Sequence, residues 1–361
     1  MKILHIVEDF SLNSGGLRTV IKNLDFHIKS LGYKSYILAS KKEIEDDIFL
    51  VKSNNKWLYS KNWILSIDSI VNKYGIEIIH IHGVWLYPQL IGAKYAIRNK
   101  IPLVLSAHGM YQPWLWKKGT LKKKIYFYFL SKKWFSKASV IHAITPDETQ
   151  NLKLHFQKNI FIEIPNLISM NTEKEQVLNT KKYVLYLGRL NKTKGIDLLI
   201  KAFSQIENQT VKLKIAGGFN HYKEELESLV KSLNLTKQVE FLGLVKNEIK
   251  NDLIRNSWVM VSPSHSDVIG MVNLEAASFK TPVITTFKVG LKKEWNTNGG
   301  KLINPNIEEL KNALIEVFSW TVEERNTNGK HLYDFVKQHY SWNLRLKDWR
   351  NLYEIAVKNE K

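Results

Sequence analysis

The chain has 361 residues, a 44% hydrophobic fraction and a formal net charge of +19. This length is about twice that of a typical single domain, so we expect two domains, each with its own hydrophobic core. The sequence contains no cysteine, which excludes a disulfide framework and any cysteine-based nucleophile or metal site. The excess of positive charge favours anionic partners, namely nucleic acid, anionic lipid or phosphorylated small molecules.

Apolar runs of strand length alternate with amphipathic runs of helix length along the whole chain. In the first half this pattern predicts strands at Ile3–Val7, Tyr33–Ala39, Glu77–His82, Pro102–Ala107, Val140–Thr145 and Ile160–Ile164. In the second half it predicts strands at Tyr183–Leu187, Val211–Ala216, Val239–Leu242, Trp258–Ser262, Pro282–Thr286 and Gly300–Ile303. Such alternation is typical of α/β proteins in which helices cover both faces of a parallel sheet. We therefore predict two doubly wound, Rossmann-like domains that face a central cleft, with ligands at the carboxyl ends of the strands.

A polar stretch without apolar periodicity separates the two series of strands and reads as a linker. The predicted organisation is an N-terminal domain over residues 1–168, a linker over 169–182, a C-terminal domain over 183–340 and a terminal helix over 341–361. The N-terminal residues read as a strand rather than a signal peptide, and no run approaches eighteen uncharged apolar residues. We therefore expect a cytoplasmic chain without a membrane span.

Two groups of residues in the first domain are candidates for a binding site. Gly15 and Gly16 lie between the first strand and the first helix, where a glycine turn lets the backbone approach a ligand. His82 and His108 each end a strand and each precede a glycine. A simple tight turn and buried core histidines are the structural alternatives. We favour His108 as the functional histidine, with His82 as a further candidate at the cleft, and we predict no metal site because no carboxylate motif accompanies them.

Two loops of the second domain carry charges that suit a sugar nucleotide. Arg189 and Lys194 lie between a strand and a helix, where two cations and a helix N-terminus could hold a diphosphate. A solvated basic loop is the alternative. Asp267 and Glu275 flank the start of a later helix, and their carboxylates could accept hydrogen bonds from ribose or sugar hydroxyls. An aspartate that only caps the helix is the alternative for Asp267, whereas Glu275 stands among apolar residues, a poor place for an idle charge.

In these residues the chain resembles the retaining family-4 glycosyltransferases of the GT-B fold, the type found in bacterial polysaccharide biosynthesis. The likeness consists of Gly15-Gly16, His108, Arg189 with Lys194-Gly195, and Asp267 seven residues before Glu275. It extends from residue 1 to about residue 345. The one departure is Asp267, where the family usually has glutamate, and its shorter side chain puts its role toward the sugar in question.

The resemblance implies a role for each matched residue. Arg189 and Lys194 would neutralise the diphosphate of a nucleotide-sugar donor, and Glu275 would bind its ribose. His108 would face the donor sugar near the reacting carbon, with Gly16 close to the sugar and phosphate. No Asp-x-Asp motif is present, so we expect the cations and helix N-termini to stabilise the leaving phosphate without a metal or other cofactor.

A basic aromatic segment, residues 114–137, lies in the first domain and contains eight lysines, eight aromatic residues and no acid. A helix with lysines on one face and aromatics on the other could lie on an anionic membrane. Aromatics packed in the core beneath solvated lysines are the alternative. A nucleic-acid partner is not expected, because no nucleic-acid-binding module appears.

The sequence thus predicts a glycosyltransferase that takes a nucleotide-sugar donor. Its acceptor would be a lipid-linked saccharide, and the enzyme would lie peripherally on the inner face of the cell membrane. Two alternatives stay open: a nucleotide-sugar epimerase of the same fold, and a non-catalytic membrane- or RNA-binding protein with a degenerate fold.

Overall fold

The computed structural model describes residues 1–53, 55–117, 120–171, 182–206 and 210–359. These residues form two compact units. Unit 1 comprises Met1–Leu167 together with Arg345–Lys361, and unit 2 comprises Ile168–Leu344. Most of the predicted linker, residues 172–181, lies outside the described part of the chain.

Unit 1 contains a parallel sheet of seven strands with helices between them. The strands are β1 (Lys2–Ile6), β2 (Lys34–Ala39), β3 (Phe49–Leu50), β4 (Ile78–His82), β5 (Leu103–Ser106), β6 (Val140–Ala143) and β7 (Phe161–Glu163). The helices are α1 (Gly16–Lys29), α2 (Asn62–Tyr74), α3 (Tyr87–Arg98), α4 (Pro113–Lys117), α5 (Thr120–Ile125), α6 (Lys132–Phe135) and α7 (Pro146–Lys153), with a π-helix at Tyr126–Ser131 between α5 and α6.

Unit 2 contains a parallel sheet of six strands. The strands are β8 (Tyr183–Leu187), β9 (Lys212–Ala216), β10 (Val239–Gly243), β11 (Val259–Ser262), β12 (Val283–Thr286) and β13 (Lys301–Ile303). The helices are α8 (Ile196–Phe203), α9 (His221–Ser232), α10 (Asn247–Arg255), α11 (Met271–Ser278), α12 (Ile307–Ser319) and α13 (Val322–Tyr340). A last helix, α14 (Trp342–Lys358), belongs to unit 1 from Arg345 onward.

Both sheets are doubly wound. The strand order is β3-β2-β1-β4-β5-β6-β7 in unit 1 and β10-β9-β8-β11-β12-β13 in unit 2. The strands are short and buried on both faces, as in Tyr183–Leu187, whose five residues are all buried. In each sheet the winding direction reverses between the first and fourth strands of the unit. This reversal is the point at which doubly wound sheets bind ligands, beyond the carboxyl ends of the strands.

The prediction of two Rossmann-like units is therefore confirmed, and every predicted strand is present within a few residues. The two-residue strand Phe49–Leu50 was not predicted, because it is too short to show a period. The helix expected in the basic aromatic segment is present but contains the π-helix Tyr126–Ser131, which alters the faces of the helix along its length. Among the described residues, no helix combines the length and the apolar character that crossing a bilayer requires.

Candidate functional site

The glycine turn after β1 is built for a conformation that other residues rarely adopt. Gly15 has φ 63° and ψ −123° and caps α1, which begins at Gly16. A Cβ atom added to either glycine would meet no atom within 4 Å. Backbone conformation requires glycine at position 15, and the open space beside both residues is compatible with the predicted close approach of a ligand.

His108 lies just beyond β5, with a strained backbone and a fixed position. Its φ of 52° is in the left-handed region. The next residue, Gly109, donates its backbone N–H to Oε1 of Glu148 at 2.5 Å, and Ile144 donates to Oε2 at 2.8 Å. Burial raises the pKa of Glu148, and the two backbone donors oppose that shift. Glu148 therefore holds the turn that carries His108.

Glu148 was not among the predicted site residues. In the sequence Glu148 belongs to a helix-capping pattern, since Thr145 precedes Pro146 and Glu148 at the start of α7. In the structure the Thr145 hydroxyl accepts a hydrogen bond from the backbone N–H of Glu148 at 3.1 Å. In a capping box the glutamate side chain would bond the backbone N–H of the cap residue itself. Here it accepts from Ile144, one residue before the cap, and from Gly109 on the neighbouring loop, and local sequence does not reveal the second contact.

A first chain of hydrogen-bonded histidines leads from the core to His108. His5 Nδ1 lies 2.9 Å from His82 Nε2, and His82 Nδ1 lies 3.0 Å from His108 Nε2. His5 and His82 are fully buried. Burial lowers the pKa of His5 to about 4 and that of His108 to about 3, so these rings are neutral at pH 7. The candidate His82 is thus placed directly behind His108 rather than at the surface.

A second chain of buried polar groups crosses the same sheet, and its proton positions are determined. His142 Nε2 lies 2.7 Å from the carbonyl oxygen of Ile164, which can only accept, so Nε2 carries the proton. His142 Nδ1 then accepts from the Ser106 hydroxyl at 2.8 Å, and that hydroxyl accepts from His80 Nε2 at 2.7 Å. His80 Nδ1 must therefore accept from the Tyr353 hydroxyl at 3.0 Å, which ties α14 to the sheet.

His5, His80 and His82 lie close enough together to suggest a metal site, because one ring nitrogen of each falls within 4.8 Å of the others. Both ring nitrogens of His80 and both of His82 already have hydrogen-bond partners. The three rings are therefore members of hydrogen-bond chains, and a metal ion could bind them only if those bonds were broken.

A carboxylate at the end of β1 also went unpredicted. Glu8 accepts a hydrogen bond from the side chain of Gln89, and a Cβ atom added to Gly83 would lie 3.0 Å from its Oε2. Burial raises the pKa of Glu8 to about 7, against the lowering effects of its hydrogen bonds. The signal was present in the sequence, since Glu8 directly follows an apolar strand, at the point where the sheet reverses its winding.

In unit 2 the loop after β8 packs tightly against the end of β11. Asn191 caps the short 3₁₀ turn that ends at Lys194. Gly195 follows with φ 67°, and a Cβ atom there would lie 2.2 Å from the carbonyl oxygen of Pro263. Only glycine fits this contact, which brings Lys194 beside the loop that follows β11. Arg189, at the start of the same loop, is exposed.

Lys194 and Asp267 form an ion pair, with Lys194 Nζ on Asp267 Oδ2. Their side chains are 21% and 24% exposed, so the pair is accessible without being fully solvated. Asp267 Oδ1 also accepts the backbone N–H of Val268 at 3.0 Å. The structure thus brings together two residues predicted independently, 73 positions apart, at the carboxyl edge of the sheet.

The helix that follows Asp267 begins at a second constrained glycine. Gly270 has φ 66° and caps α11, whose first residue is Met271. Asn273 in the first turn is fully buried, and its Oδ1 has no hydrogen-bond partner among the described residues. A Cβ atom added to Gly270 would lie 3.3 Å from Asp267 Oδ2, so α11 begins beside the Lys194–Asp267 pair. Helix N-termini favour anions.

Glu275 on α11 is paired with a residue that the sequence did not indicate. Its Oε2 lies 2.9 Å from Nζ of Lys250 on α10, and the two side chains are 19% and 30% exposed. The lysine neutralises the carboxylate and fixes its orientation. Lys250 carries no motif and lies 25 residues away on another helix, so no sequence signal connects the two.

The basic aromatic segment divides between core and surface. Phe127 and Phe135 are fully buried in the core of unit 1, with Tyr126 hydrogen-bonded to the carbonyl of Leu86. The predicted segment includes Trp114, Lys117 and Lys118. Residue 118 and the side chains of Trp114 and Lys117 lie outside the described part of the chain. Five other apolar side chains are exposed: Leu121 (73%), Ile125 (48%), Tyr128 (57%), Phe129 (79%) and Leu130 (42%). The alternative of aromatics packed in the core is therefore correct for Phe127 and Phe135, whereas binding of this segment to a membrane stays a prediction.

These five exposed residues lie along α5 and the π-helix that follows it, and together they are called the apolar ridge. Lysines flank the ridge, with Lys122, Lys124 and Lys133 exposed. Lys123 differs from them, since its Nζ bonds the carbonyl of Leu115 and lies 5.5 Å from the ring centre of Trp85. The ridge and its exposed lysines combine an apolar face with positive charge.

Comparison with known proteins agrees with this architecture. The family model described as Glycosyltransferase Family 4 matches residues 14–170, and the model described as Glycosyl transferases group 1 matches residues 169–331. The chain is 29% identical over 342 residues to MJ1178 of Methanocaldococcus jannaschii, named an uncharacterized glycosyltransferase, with 92% of this chain and 91% of the relative covered. It is 32% identical over 186 residues to MJ1607 of the same organism, which has the same description, with 50% of this chain and 47% of that relative covered.

A solved structure shares the fold over nearly the whole chain. Anabaena HepE, solved in complex with UDP-glucose, superimposes with a TM-score of 0.79 at 16% identity, covering 98% of this chain and all of the other. At this identity the likeness concerns the fold alone. With two consecutive family matches, two Rossmann-like sheets and this shared fold, the chain belongs to the family-4 glycosyltransferases, enzymes of the GT-B fold.

Proposed function

We propose that this chain transfers a hexosyl unit from a nucleoside diphosphate sugar to an acceptor, with retention of the anomeric configuration. The observation that carries the proposal is the Lys194–Asp267 pair, held at the carboxyl edge of the unit 2 sheet. The solved HepE complex contains UDP-glucose, and we extend that class of ligand to this chain. Retention is the stereochemical course that membership of family 4 implies.

The proposed roles follow the chemistry of each group. Lys194 and the exposed Arg189 bind the diphosphate, because both offer cationic N–H donors to phosphate oxygens. Glu275 accepts a hydrogen bond from a ribose hydroxyl through Oε1, the carboxylate oxygen that does not contact Lys250. His108 faces the donor sugar, and Gly16 leaves room for the backbone to approach it.

Asp267 acquires a role that its short side chain permits. The carboxylate contacts Lys194 Nζ directly, so it orients the ammonium group before a donor binds. The substitution of aspartate for the family's glutamate is compatible with this role, which needs no reach toward the sugar. Asp267 thus serves as a positioning residue for Lys194.

Transfer breaks the bond between the sugar and the diphosphate, and negative charge develops on the leaving phosphate oxygen. A preplaced ammonium group and the N–H groups of a helix start stabilise that charge without having to reorganise. Lys194 and the first turn of α11 are the groups of unit 2 that we assign to this task. We propose that they perform it without a metal cofactor.

Calorimetric titration of the full-length protein with a panel of nucleoside diphosphates tests the donor assignment. We expect one or more to bind, and Lys194→Ala or Arg189→Ala to weaken that binding by about 1–3 kcal/mol, the range for hydrogen bonds to charged groups. Lys192→Ala is the matched control, since Lys192 lies in the same turn, is 70% exposed and pairs with Glu225 instead. Equal affinities in all three variants would contradict the phosphate-site assignment.

We further propose that the acceptor is a lipid-linked saccharide of cell-surface polysaccharide synthesis, met at an anionic membrane on the cytoplasmic side. The support is the apolar ridge with its flanking lysines, a combination that binds anionic lipid interfaces. An exposed Phe129 and Leu121 would contribute apolar burial, and the lysines would contribute a salt-sensitive attraction.

Flotation with anionic vesicles at low and high salt tests the membrane proposal. We expect the parent to float at low salt, and replacement of Lys122, Lys124 and Lys133 by glutamine to weaken binding by up to about 1 kcal/mol per charge. The matched control replaces the exposed Lys231, Lys237 and Lys246 of unit 2, which changes the net charge equally. If both triple variants float alike, the attraction is non-specific and the ridge is not the membrane contact.

The epimerase alternative is separated by its products. An epimerase converts the nucleotide sugar into its epimer with no acceptor present, whereas a transferase moves the sugar to an acceptor and releases the nucleoside diphosphate. Formation of an epimerised sugar in the absence of any acceptor would favour the epimerase.

A further inference from the structure

The chain of histidines behind His108 restricts where its proton can lie. His82 contacts His5 through one ring nitrogen and His108 through the other. A neutral imidazole carries one N–H, so it donates through one nitrogen and accepts through the other. Burial lowers the pKa of all three rings, which keeps them neutral. Only two arrangements of protons satisfy both hydrogen bonds, and they run in opposite directions.

The two arrangements differ at the buried end of the chain. If the protons lie on Nε2 of each ring, His5 presents an Nε2–H group to the core. That atom has no hydrogen-bond partner among the described residues, and His5 is fully buried. A buried N–H without an acceptor is an arrangement that native structures rarely contain. The opposite direction places every proton on Nδ1 and leaves only a lone pair at that position.

We infer that His5 and His82 are positioning residues that hold His108 as the tautomer with its proton on Nδ1. His5 donates to His82, His82 donates to Nε2 of His108, and His108 presents an N–H group. This inference deepens the proposed function and rests on it for the nature of the ligand. The ligand atom that meets His108 is then an oxygen with an available lone pair, such as a hydroxyl or phosphate oxygen, and His108 acts as a donor and not as a base.

The surrounding structure fixes the ring as well as the proton. His108 has φ 52°, and Glu148 holds the adjacent Gly109 through its backbone N–H. The imidazole is therefore constrained on two sides, by Glu148 through the backbone and by His82 through Nε2. His108 is itself only partly buried, in contrast to His5 and His82, so the end that donates is the accessible end of the chain.

Two substitutions, His82→Asn and His82→Gln, distinguish a role of His82 in positioning the His108 ring from a role in packing alone. The amide nitrogen of asparagine occupies roughly the place of Nδ1, and that of glutamine the place of Nε2. His82→Asn therefore keeps a donor toward His108, while His82→Gln removes it. Both variants remove the ring, so any effect of lost packing is common to the pair.

Nitrogen-15 NMR of the full-length protein labelled at histidine reads the tautomer directly, since protonated and unprotonated ring nitrogens resonate far apart. The signals of His108 are those missing from His108→Asn. We expect the Nδ1–H form in the parent and in His82→Asn, and a shift toward Nε2–H in His82→Gln. An Nε2–H form in the parent would overturn the inference.

Steady-state kinetics with a nucleotide-sugar donor supplies the functional measurement. We expect His82→Gln to lower kcat/KM on the order of tenfold or more, the effect of one misplaced hydrogen bond, with His82→Asn close to the parent. Equal losses in both variants would show that His82 acts only through packing, and would contradict the inference. If the parent turns over no nucleotide sugar, the proposed function fails, while the NMR result still decides the tautomer.

Discussion

Acidification should destabilise unit 1, because its buried histidines cannot take up the protons that they bind when the chain unfolds. Burial lowers the pKa of His5 to about 4 and that of His142 to about 4, whereas an unfolded histidine has a pKa of about 6.5. Between these values the unfolded state binds more protons than the folded state. The free energy of unfolding therefore falls as the pH falls from 6.5 toward 4.

The size of the destabilisation follows from how far the pH lies below the pKa of an unfolded histidine. At pH 5 each of these two histidines lowers the free energy of unfolding by about 2 kcal/mol. Burial also lowers the pKa values of His80, His82 and His108, which act in the same direction, so the total loss is at least about 4 kcal/mol. Glu8 acts in the opposite direction, because burial raises its pKa to about 7 and the folded state holds its proton more tightly. The stabilisation that Glu8 contributes is present below pH 4.5 and is lost as the pH rises through 7. On acidification it therefore offsets about 2 kcal/mol of the loss caused by the histidines.

Urea unfolding at pH 7.5 and 5.0 measures this balance. With a slope of about 2 kcal/mol per molar urea, we expect the midpoint of unit 1 to fall by at least about 1 M in the parent and at least about 2 M in Glu8→Gln, which lacks the offset. His331→Gln is the control, because this exposed histidine lies in unit 2 and not in unit 1. Midpoints of Glu8→Gln that agree at the two pH values would refute the reasoning.

Three further changes have expected outcomes. Tyr353→Phe removes the hydroxyl that donates to His80 and should lower the free energy of unfolding by about 1–3 kcal/mol, measured with urea; an unchanged midpoint would contradict the hydrogen-bond chain. Gly195→Ala forces a Cβ atom against Pro263 and should both destabilise unit 2 and abolish nucleotide binding, whereas unaltered calorimetry would show that the loop can move. Turnover should persist in excess chelator, and its loss with recovery on adding manganese would argue for a metal beside Lys194.

Much of the fold could be predicted from the sequence, because buried parallel strands produce unbroken apolar runs. Tyr183–Leu187 is such a run, and its boundaries are those of β8. The sequence also predicts that Lys194 and Asp267 lie at the same edge of a sheet, because each follows a strand whose carboxyl end lies there. Their direct contact was not predicted. Periodicity failed for Phe49–Leu50, which is too short to show one.

The residues that hold the candidate site residues in place could not be predicted from the sequence, for a physical reason. Glu148 and Lys250 act through contacts 39 and 25 positions away along the chain, and neither contact leaves a local pattern. His5 looks like one more residue of an apolar strand until its neighbours across the sheet are known. Sequence reasoning finds groups that face a ligand more readily than groups that hold them in place.

Sugar transfer by this chain is tested most directly with a radiolabelled donor sugar. Full-length protein is incubated with a panel of labelled nucleoside diphosphate sugars and bacterial membrane lipid, and the lipid fraction is then extracted and counted. We predict that one donor labels the lipid fraction with matching release of nucleoside diphosphate, and that Lys194→Ala loses most of this activity while Lys192→Ala keeps it. Lipid labelling by the parent no higher than in the absence of protein, with every donor, would contradict sugar transfer, and equal labelling by Lys194→Ala would contradict the role of Lys194.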